Sequence, residues 1–220
     1  MPLKAVLFDM DGVIVDTEPL HRKAYFKTFE NLNITVSEEF YTSLTGCSTK
    51  EATAKIKEKY QLNVSPEDIT TSKRTYFKHY FDTDENFDLL PGVRELITHY
   101  YENDVKLVLA SSASMNTINW VFDKFDIGKY FMGKISGAEL EESKPNPEIF
   151  IKAAEIAGEP KENCMVIEDS TNGIIAANRA EIFCAAYQSE HSKMQDYHLA
   201  NILVKEFSDL EVQKVSKFFV

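Results

Sequence analysis

A chain of 220 residues is long enough to bury a sizeable core, either as one large domain or as a main domain with a smaller insertion. Its formal net charge of −11 would repel a phosphate backbone, so we do not expect nucleic acid as a partner. Its three cysteines are widely spaced, so we expect neither disulfides nor a zinc site. No apolar run approaches the roughly 20 residues of a membrane span, so we expect a cytoplasmic protein without membrane attachment.

The chain opens with a strand pattern. Residues 5–8 are a short apolar run without polar alternation, which predicts a strand buried on both faces of a helix-covered parallel sheet. Similar runs recur at residues 105–110, 165–167 and 183–187, with helix-length segments between them. Strands that alternate with helices in this way predict βαβ units and a doubly wound, Rossmann-like α/β sheet.

The segment from about residue 18 to 81 has a different pattern, with helical periodicity and caps but no convincing buried strand. Ser65-Pro66-Glu67-Asp68 is a capping-box-like helix start within it. We therefore predict an all-helical cap domain inserted into the α/β core. The predicted boundaries are residues 1–15 and 84–220 for the core and residues 16–83 for the cap.

Reactive side chains follow three of the predicted strands where each strand ends. They are Asp9 and Asp11 after the first strand, Ser111 and Ser112 after the second, and Glu168 and Asp169 after the third. Ligands of open α/β sheets bind outside the carboxyl ends of the strands. Two aspartates at i and i+2 in a glycine-containing turn can both point into one cleft. One could attack a phosphorus atom, while the other protonates the leaving oxygen and later deprotonates a water.

Such carboxylates would repel a phosphate dianion unless a cation lies between them. Magnesium, a hard ion that prefers a few carboxylates plus substrate oxygens and waters, is the expected cofactor, with Asp169 as a further ligand. Lys144 offers a positive charge to the phosphoryl oxygens, and Ser111 offers hydrogen bonds to them. The alternatives are a surface lysine at position 144 and a simple helix cap at position 111.

The order of these residues resembles the four motifs of the haloacid dehalogenase superfamily. The motifs are D-x-D-G-x-x-x-D-T over residues 9–17, Ser111 after an apolar strand, Lys144 in S-K-P-N-P, and Glu168-Asp169 in V-I-E-D-S. The resemblance covers essentially the whole chain. The Leu90-Pro91-Gly92 turn and the helical insertion are similar to the branch of the superfamily that carries a helical cap after the first motif.

This resemblance implies a role for each motif residue. Asp9 would be the nucleophile that forms an aspartyl-phosphate, Asp11 the acid and base, and Ser111 and Lys144 the groups that bind the transferring phosphoryl group. Around Mg²⁺ it implies the Asp9 carboxylate, the main-chain carbonyl of Asp11, and Asp169, with Glu168 near the metal shell. Glu168 could instead simply pair with a cation.

Beta-phosphoglucomutase is a similar enzyme with the same motifs, a helical cap and a histidine in the position of His21. It returns the phosphoryl group to a bound sugar phosphate, and its cap carries an arginine after a Gly-x-Ser turn. In the matching stretch, Gly46-Cys47-Ser48, Thr49 stands where that arginine is expected. Lys50 beside it would project about 100° away on a helix.

The segment from Ser111 to Asn116 also lacks the lysine found there in mutases, so the two missing cations favour hydrolysis. A dehalogenase would lack Asp11, and a catalytically idle protein on the same fold would be expected to lose a motif residue.

We therefore expect a monomeric Mg²⁺-dependent phosphatase of a small phosphorylated metabolite, of the sugar phosphate class. A cap that closes over the site would select the substrate. The candidate substrate contacts of the enzyme are His21, Thr49 and Lys50 in the cap and Ser112 in the core. For His21 the alternative is a histidine on the helix surface.

Overall fold

The computed structural model describes residues 2–44, 49–189, 192 and 194–219, without the side chain of Lys50. The Gly46-Cys47-Ser48 turn and the Lys50 side chain, both used in the mutase comparison, therefore lie outside the described residues. The chain divides into two compact units, one of Met1–Asp16 with Asp88–Val220 and the other of Thr17–Phe87.

The first unit is built on a parallel sheet whose strand order is β3-β2-β1-β4-β5-β6. The strands are β1 (Ala5–Phe8), β2 (Lys106–Ser111), β3 (Gly133–Ser136), β4 (Cys164–Glu168), β5 (Phe183–Tyr187) and β6 (Ile202–Val204). Every residue of β1 is buried, as expected for a strand covered on both faces. The predicted doubly wound α/β fold is confirmed.

The two edge strands were not predicted, and both lack the signal that identified the others. β3 reads Gly-Lys-Ile-Ser and is buried only at its last residue, while β6 has three residues, of which only the last is buried. An edge strand that is half covered needs no continuous apolar run. Apolar runs in the sequence therefore predict the interior strands of this sheet but not its edge strands.

The second unit consists of helices and the segments that connect them, with no strand among its described residues, 17–44 and 49–87. Its helices are α1 (Glu18–Asn31), α2 (Glu38–Thr42), α3 (Thr49–Tyr60) and α4 (Pro66–Thr83). The Ser65 hydroxyl accepts a hydrogen bond from the backbone N–H of Asp68 at 3.0 Å, which is the predicted cap of α4. The core of this unit packs aromatic rings against aliphatic side chains: Tyr25, Phe29, Tyr41, Leu44, Ala52 and Ile56.

Five further helices belong to the described part of the α/β unit: α5 (Val93–Glu102), α6 (Met115–Phe125), α7 (Glu148–Ala157), α8 (Thr171–Arg179) and α9 (Val212–Val215). At the start of α7, the side-chain oxygen of Asn146 accepts from the Glu148 N–H at 2.9 Å. Ile149, Phe150 and Ala153 on its buried face pack into the core of the sheet. None of the described helices combines the length and apolar content needed to cross a bilayer.

Strand register brings the ends of β1, β2 and β4 to one place. Phe8 lies opposite Leu109 of β2 and Ile167 of β4, so the next residue along each strand is Asp9, Ala110 or Glu168. The backbone N–H of Asp9 donates to the Ile167 carbonyl at 3.0 Å, which holds Asp9 at the end of the hydrogen-bonded pairing of β1 with β4. The polar residues at the ends of these strands are therefore neighbours in space.

Candidate active site

Lys144 joins the ends of three strands. Its ammonium donates to Oδ1 of Asp9, to Oε1 of Glu168 at 2.7 Å and to the Ala110 carbonyl at 2.9 Å. The side chain is 5% exposed and lies over the Phe150 ring, with Nζ 4.9 Å from the ring centroid. The reading of Lys144 as a surface lysine is therefore wrong: it is a buried cation between two carboxylates.

A group of acidic side chains surrounds this lysine. Carboxylate oxygens of Asp9, Glu168 and Asp169 all lie within 4.8 Å of one another. Burial raises the pKa of Asp9 from its ordinary value of 3.8 to about 7, even though Lys144 opposes the shift. Burial and then the charge of Glu168 raise the pKa of Asp169 to about 9. The single positive charge of Lys144 cannot balance the charges of Asp9, Glu168 and Asp169 when all three are ionised.

The same cluster keeps Lys144 charged. Burial alone would lower the pKa of Lys144, but the carboxylates of Asp9 and Glu168 outweigh it and raise that pKa. A lysine that stays protonated lowers the cost of ionising Asp9 and can bind the oxygens of an anionic substrate.

The Glu168 carboxylate is held by the start of α8. Its Oε2 accepts from the backbone N–H of Asp169 at 2.9 Å, from that of Ser170 at 2.8 Å and from the Ser170 hydroxyl at 2.9 Å. Its Oε1 is the oxygen that accepts from Lys144. Ser170 was not predicted as a site residue, although a serine directly before a helix is a capping signal. Its hydroxyl also accepts from the Gly173 N–H at 3.1 Å.

The turn that carries Asp11 runs against Asp169. Gly12 has φ of +84°, and its N–H donates to the Val15 carbonyl at 2.7 Å. A Cβ on Gly12 would lie 2.1 Å from Oδ2 of Asp169, so the backbone here approaches that carboxylate as closely as glycine allows. Asp11 is half-buried, and its charge contributes to the raised pKa of Asp9. The D-x-D-G turn thus begins at Asp9 and ends, at Gly12, against the carboxylate of Asp169.

The last residue of β2, Ser111, and the residue after it, Ser112, occupy different environments. Ser111 is buried, and its hydroxyl accepts from the Ala113 N–H at 3.1 Å. Ser112 is exposed, and its hydroxyl accepts from the Ser143 hydroxyl at 3.1 Å, which links this loop to the residue before Lys144. The helix that follows is capped by Ser114, whose hydroxyl accepts from Thr117 N–H. Ser111 therefore does not cap α6.

The other predicted contacts, His21, Thr49 and Lys50, belong to the helical unit. His21 stacks on Phe77, with ring centroids 4.4 Å apart, and its Nδ1 lies 2.7 Å from Nζ of Lys73. Burial and then Lys73 lower the pKa of His21 to about 3, so the ring is neutral. If the Lys73 ammonium donates to Nδ1, the ring carries its proton on Nε2. Thr49 is half-buried at the first position of α3. Lys73 was not predicted, because it lies 52 residues from His21 along the chain.

The acidic cluster fits a hard divalent cation. Its donors are carboxylate oxygens, which magnesium prefers, and burial with mutual repulsion raises the pKa of both Asp9 and Asp169. A cation would relieve that repulsion. Asp9 and Asp169 are the better candidate ligands, because both oxygens of Glu168 already accept hydrogen bonds from the protein.

A doubly wound sheet that gathers buried carboxylates and a lysine at its strand ends is the arrangement of an α/β enzyme. The chain matches the model of the haloacid dehalogenase-like hydrolase family over residues 6–187, and it belongs to that family. The resemblance drawn from the motifs is thereby confirmed.

This chain is similar to several enzymes and solved structures. It is 31% identical over 180 residues to the phosphorylated carbohydrates phosphatase of Thermotoga maritima, covering 82% of each chain. It is 28% identical over 216 residues to the beta-phosphoglucomutase of Bacillus subtilis, covering 96% of this chain and 93% of the relative. The crystal structure of CbbY from Rhodobacter sphaeroides in complex with phosphate has a TM-score of 0.82 at 27% identity, with 94% of this chain and 96% of that chain covered. These relatives confirm the predicted phosphoric monoester hydrolase of the beta-phosphoglucomutase-like branch.

Proposed function

We propose that this protein is a Mg²⁺-dependent phosphatase that hydrolyses a small phosphorylated sugar through an aspartyl-phosphate on Asp9. The observation that carries the proposal is the contact of one buried ammonium, Nζ of Lys144, with Asp9 and Glu168, beside Asp169. The names of relatives support the substrate class, since one is a phosphatase of phosphorylated carbohydrates and a CbbY mutant was crystallised with xylulose-(1,5)bisphosphate.

The proposed chemistry has two steps. In the first, an oxygen of Asp9 forms a bond to phosphorus, the bond from phosphorus to the ester oxygen breaks, and Asp11 gives its proton to that leaving oxygen. In the second, Asp11 takes a proton from a water whose oxygen bonds to phosphorus, and the bond to Asp9 breaks. Inorganic phosphate leaves, and both aspartates return to their starting states. Lys144 and Ser111 would bind the phosphoryl oxygens throughout.

Asp9, Asp169 and the main-chain carbonyl of Asp11 would hold the cation, with Glu168 placing Lys144 beside them. When bound, Mg²⁺ supplies charge neutralisation, so that an anionic nucleophile can approach an anionic phosphoryl group.

Metal binding should become more stabilising as the pH rises. Without metal, the folded-state pKa values of Asp9 and Asp169, about 7 and about 9, exceed the ordinary 3.8. The folded protein then binds more protons than the unfolded chain, so the contribution of this pair to stability falls as pH rises from about 4 to about 9. Mg²⁺ competes with those protons, so the increase in Tm on adding Mg²⁺ should be larger at pH 8 than at pH 6 in a thermal-shift assay.

Asp169→Asn is the matched variant for this measurement, because it removes one ligand and puts a permanently neutral group where the folded protein must otherwise keep a carboxyl protonated. We expect it to raise the Tm of the metal-free protein at pH 8 and to reduce the Mg²⁺ increment. An increment that is independent of pH and of this substitution would contradict a cation at the acidic cluster.

Mutase activity is the second candidate, because the chain is about as similar to the beta-phosphoglucomutase of Bacillus subtilis as to the hexitol phosphatase B of Escherichia coli. Thr49, with its short neutral side chain at the start of α3, is the observation against it. With beta-glucose 1-phosphate and glucose 1,6-bisphosphate as substrates, we expect release of free phosphate without rapid formation of glucose 6-phosphate. Rapid isomerisation with little phosphate release would replace the phosphatase by the mutase.

Substrate selection by the helical unit is a separate part of this proposal. A neutral His21 that offers Nε2–H, with Thr49 and Lys50, suits hydroxyl and phosphate oxygens of a sugar phosphate. A screen of phosphorylated sugars, phosphoglycolate and nucleotides against wild type and His21→Ala would test it. The variant should lose the preferred substrate and keep its rate with p-nitrophenyl phosphate within a few-fold.

A further inference from the structure

Gly173 lies in the first turn of α8, directly against the Glu168 carboxylate. A Cβ placed on Gly173 would be 1.7 Å from Oε1, 1.9 Å from Cδ and 2.4 Å from Oε2 of Glu168. Favourable non-bonded contacts between heavy atoms lie at about 3.5–4.0 Å. The carboxylate therefore occupies the volume that the side chain of any other residue would need.

The carboxylate could give way only by losing its partners. Oε1 accepts from Lys144 at 2.7 Å, and Oε2 accepts from the donors of Asp169 and Ser170 at the start of α8. Glu168 is also 1% exposed, so water does not replace those partners when it moves. If α8 moved instead, Asp169 at its start would move as well. Either displacement changes the surroundings of Lys144 and Asp9.

The backbone at Gly173 does not itself require glycine. The described glycines with positive φ are Gly12, Gly92 and Gly158, so Gly173 has the ordinary helical conformation in which alanine is the better helix former. What glycine supplies here is space. This separates Gly173 from Gly12, whose absent Cβ makes the same kind of room for Asp169 but whose φ of +84° would strain any replacement.

We infer that Gly173 is a positioning residue for phosphoryl transfer, which lets the Glu168 carboxylate lie at the start of α8 and hold Lys144 against Asp9. Gly173 touches neither substrate nor cation and acts only through Glu168. Its effect on turnover rests on the proposed function, whereas its effect on the carboxylate does not.

The test is Gly173→Ala, assayed with p-nitrophenyl phosphate and Mg²⁺. We expect kcat to fall about 10–100-fold, the range found when the partners that orient a catalytic group are lost, with KM changed less than about 3-fold. The Tm should fall by roughly 5 °C in spite of the better helix former. The matched control is Gly128→Ala, where the added Cβ would lie 3.7 Å from Cδ1 of Phe122, an ordinary contact, and kcat and Tm should stay near wild type.

The decisive comparison repeats Gly173→Ala in a Glu168→Ala background. If Gly173 acts through the carboxylate, the substitution should there leave kcat within about 2-fold and should no longer lower Tm. A packing role for Gly173 would lower Tm equally in both backgrounds and would overturn the inference, as would wild-type kcat in the single variant. The Tm comparison needs no turnover. A Tm loss that depends on Glu168, in a protein without phosphatase activity, would therefore refute the proposed function and leave the steric role of Gly173 standing.

Discussion

Asp9→Asn should reduce Mg²⁺-dependent turnover of p-nitrophenyl phosphate by about 10⁴-fold or more, because an amide cannot attack phosphorus. The protein should remain folded, since Asn has the same shape and Lys144 keeps its contact with Glu168. Without metal its Tm should not fall below that of the wild type, because one of three clustered carboxylates is neutralised. Initial rates and thermal-shift curves measure both effects.

The matched control is Asp123→Asn, on the exposed surface of α6, which should change neither rate nor Tm. Acid-quenched wild type should carry a phosphoryl group on the peptide that contains Asp9, and the Asn variant should not. Retained turnover would refute a nucleophilic Asp9. Recovery of the rate at high Mg²⁺ would instead make Asp9 a metal ligand only.

The sequence predicted the centre of the fold better than its margins. Buried parallel strands have continuous apolar runs, so the runs at residues 5–8 and 183–187 coincide with β1 and β5. The edge strands β3 and β6 lack such runs because each is only partly buried. Helix starts were predictable where a capping side chain lies beside the helix in sequence, as at Ser65.

The site was predictable to the extent that its residues follow strands. Asp9, Glu168 and Asp169 come together because the register of β1 and β4 aligns their ends. The contact of Lys144 with Glu168 could not be predicted, because Lys144 lies in a loop and its side-chain direction depends on tertiary packing. The pairing of Lys73 with His21 has the same cause: periodicity assigns each residue to a helix but does not say which faces meet.

Lys144→Met should have the largest combined effect on stability and activity. Methionine keeps the apolar stem over Phe150 but removes the ammonium that contacts Asp9 and Glu168 beside Asp169. Removing one partner of a buried ion pair costs about 3–5 kcal/mol, which corresponds to a fall in Tm of about 10 °C in a protein of this size. Loss of the group that binds the phosphoryl oxygens should lower kcat/KM by about 10²–10³-fold.

The dependence of this effect on pH distinguishes charge from shape. Lys144 opposes the rise of the Asp9 pKa, so its removal raises that pKa further and makes ionised Asp9 more costly. The loss of Tm should therefore be larger at pH 8 than at pH 5.5, where the carboxylates can take up protons. The control Lys152→Met removes a lysine of α7 whose side chain is 44% exposed and pairs with Glu148, and it should cost less than about 1 kcal/mol at either pH. Equal losses at both pH values would assign Lys144 a packing role, whereas near-wild-type turnover would remove it from phosphoryl binding.

Mg²⁺ should restore part of the Tm that Lys144→Met loses and little of the lost kcat. A second cation can neutralise the carboxylates, but it cannot take the place of Nζ beside Asp9 and Ala110.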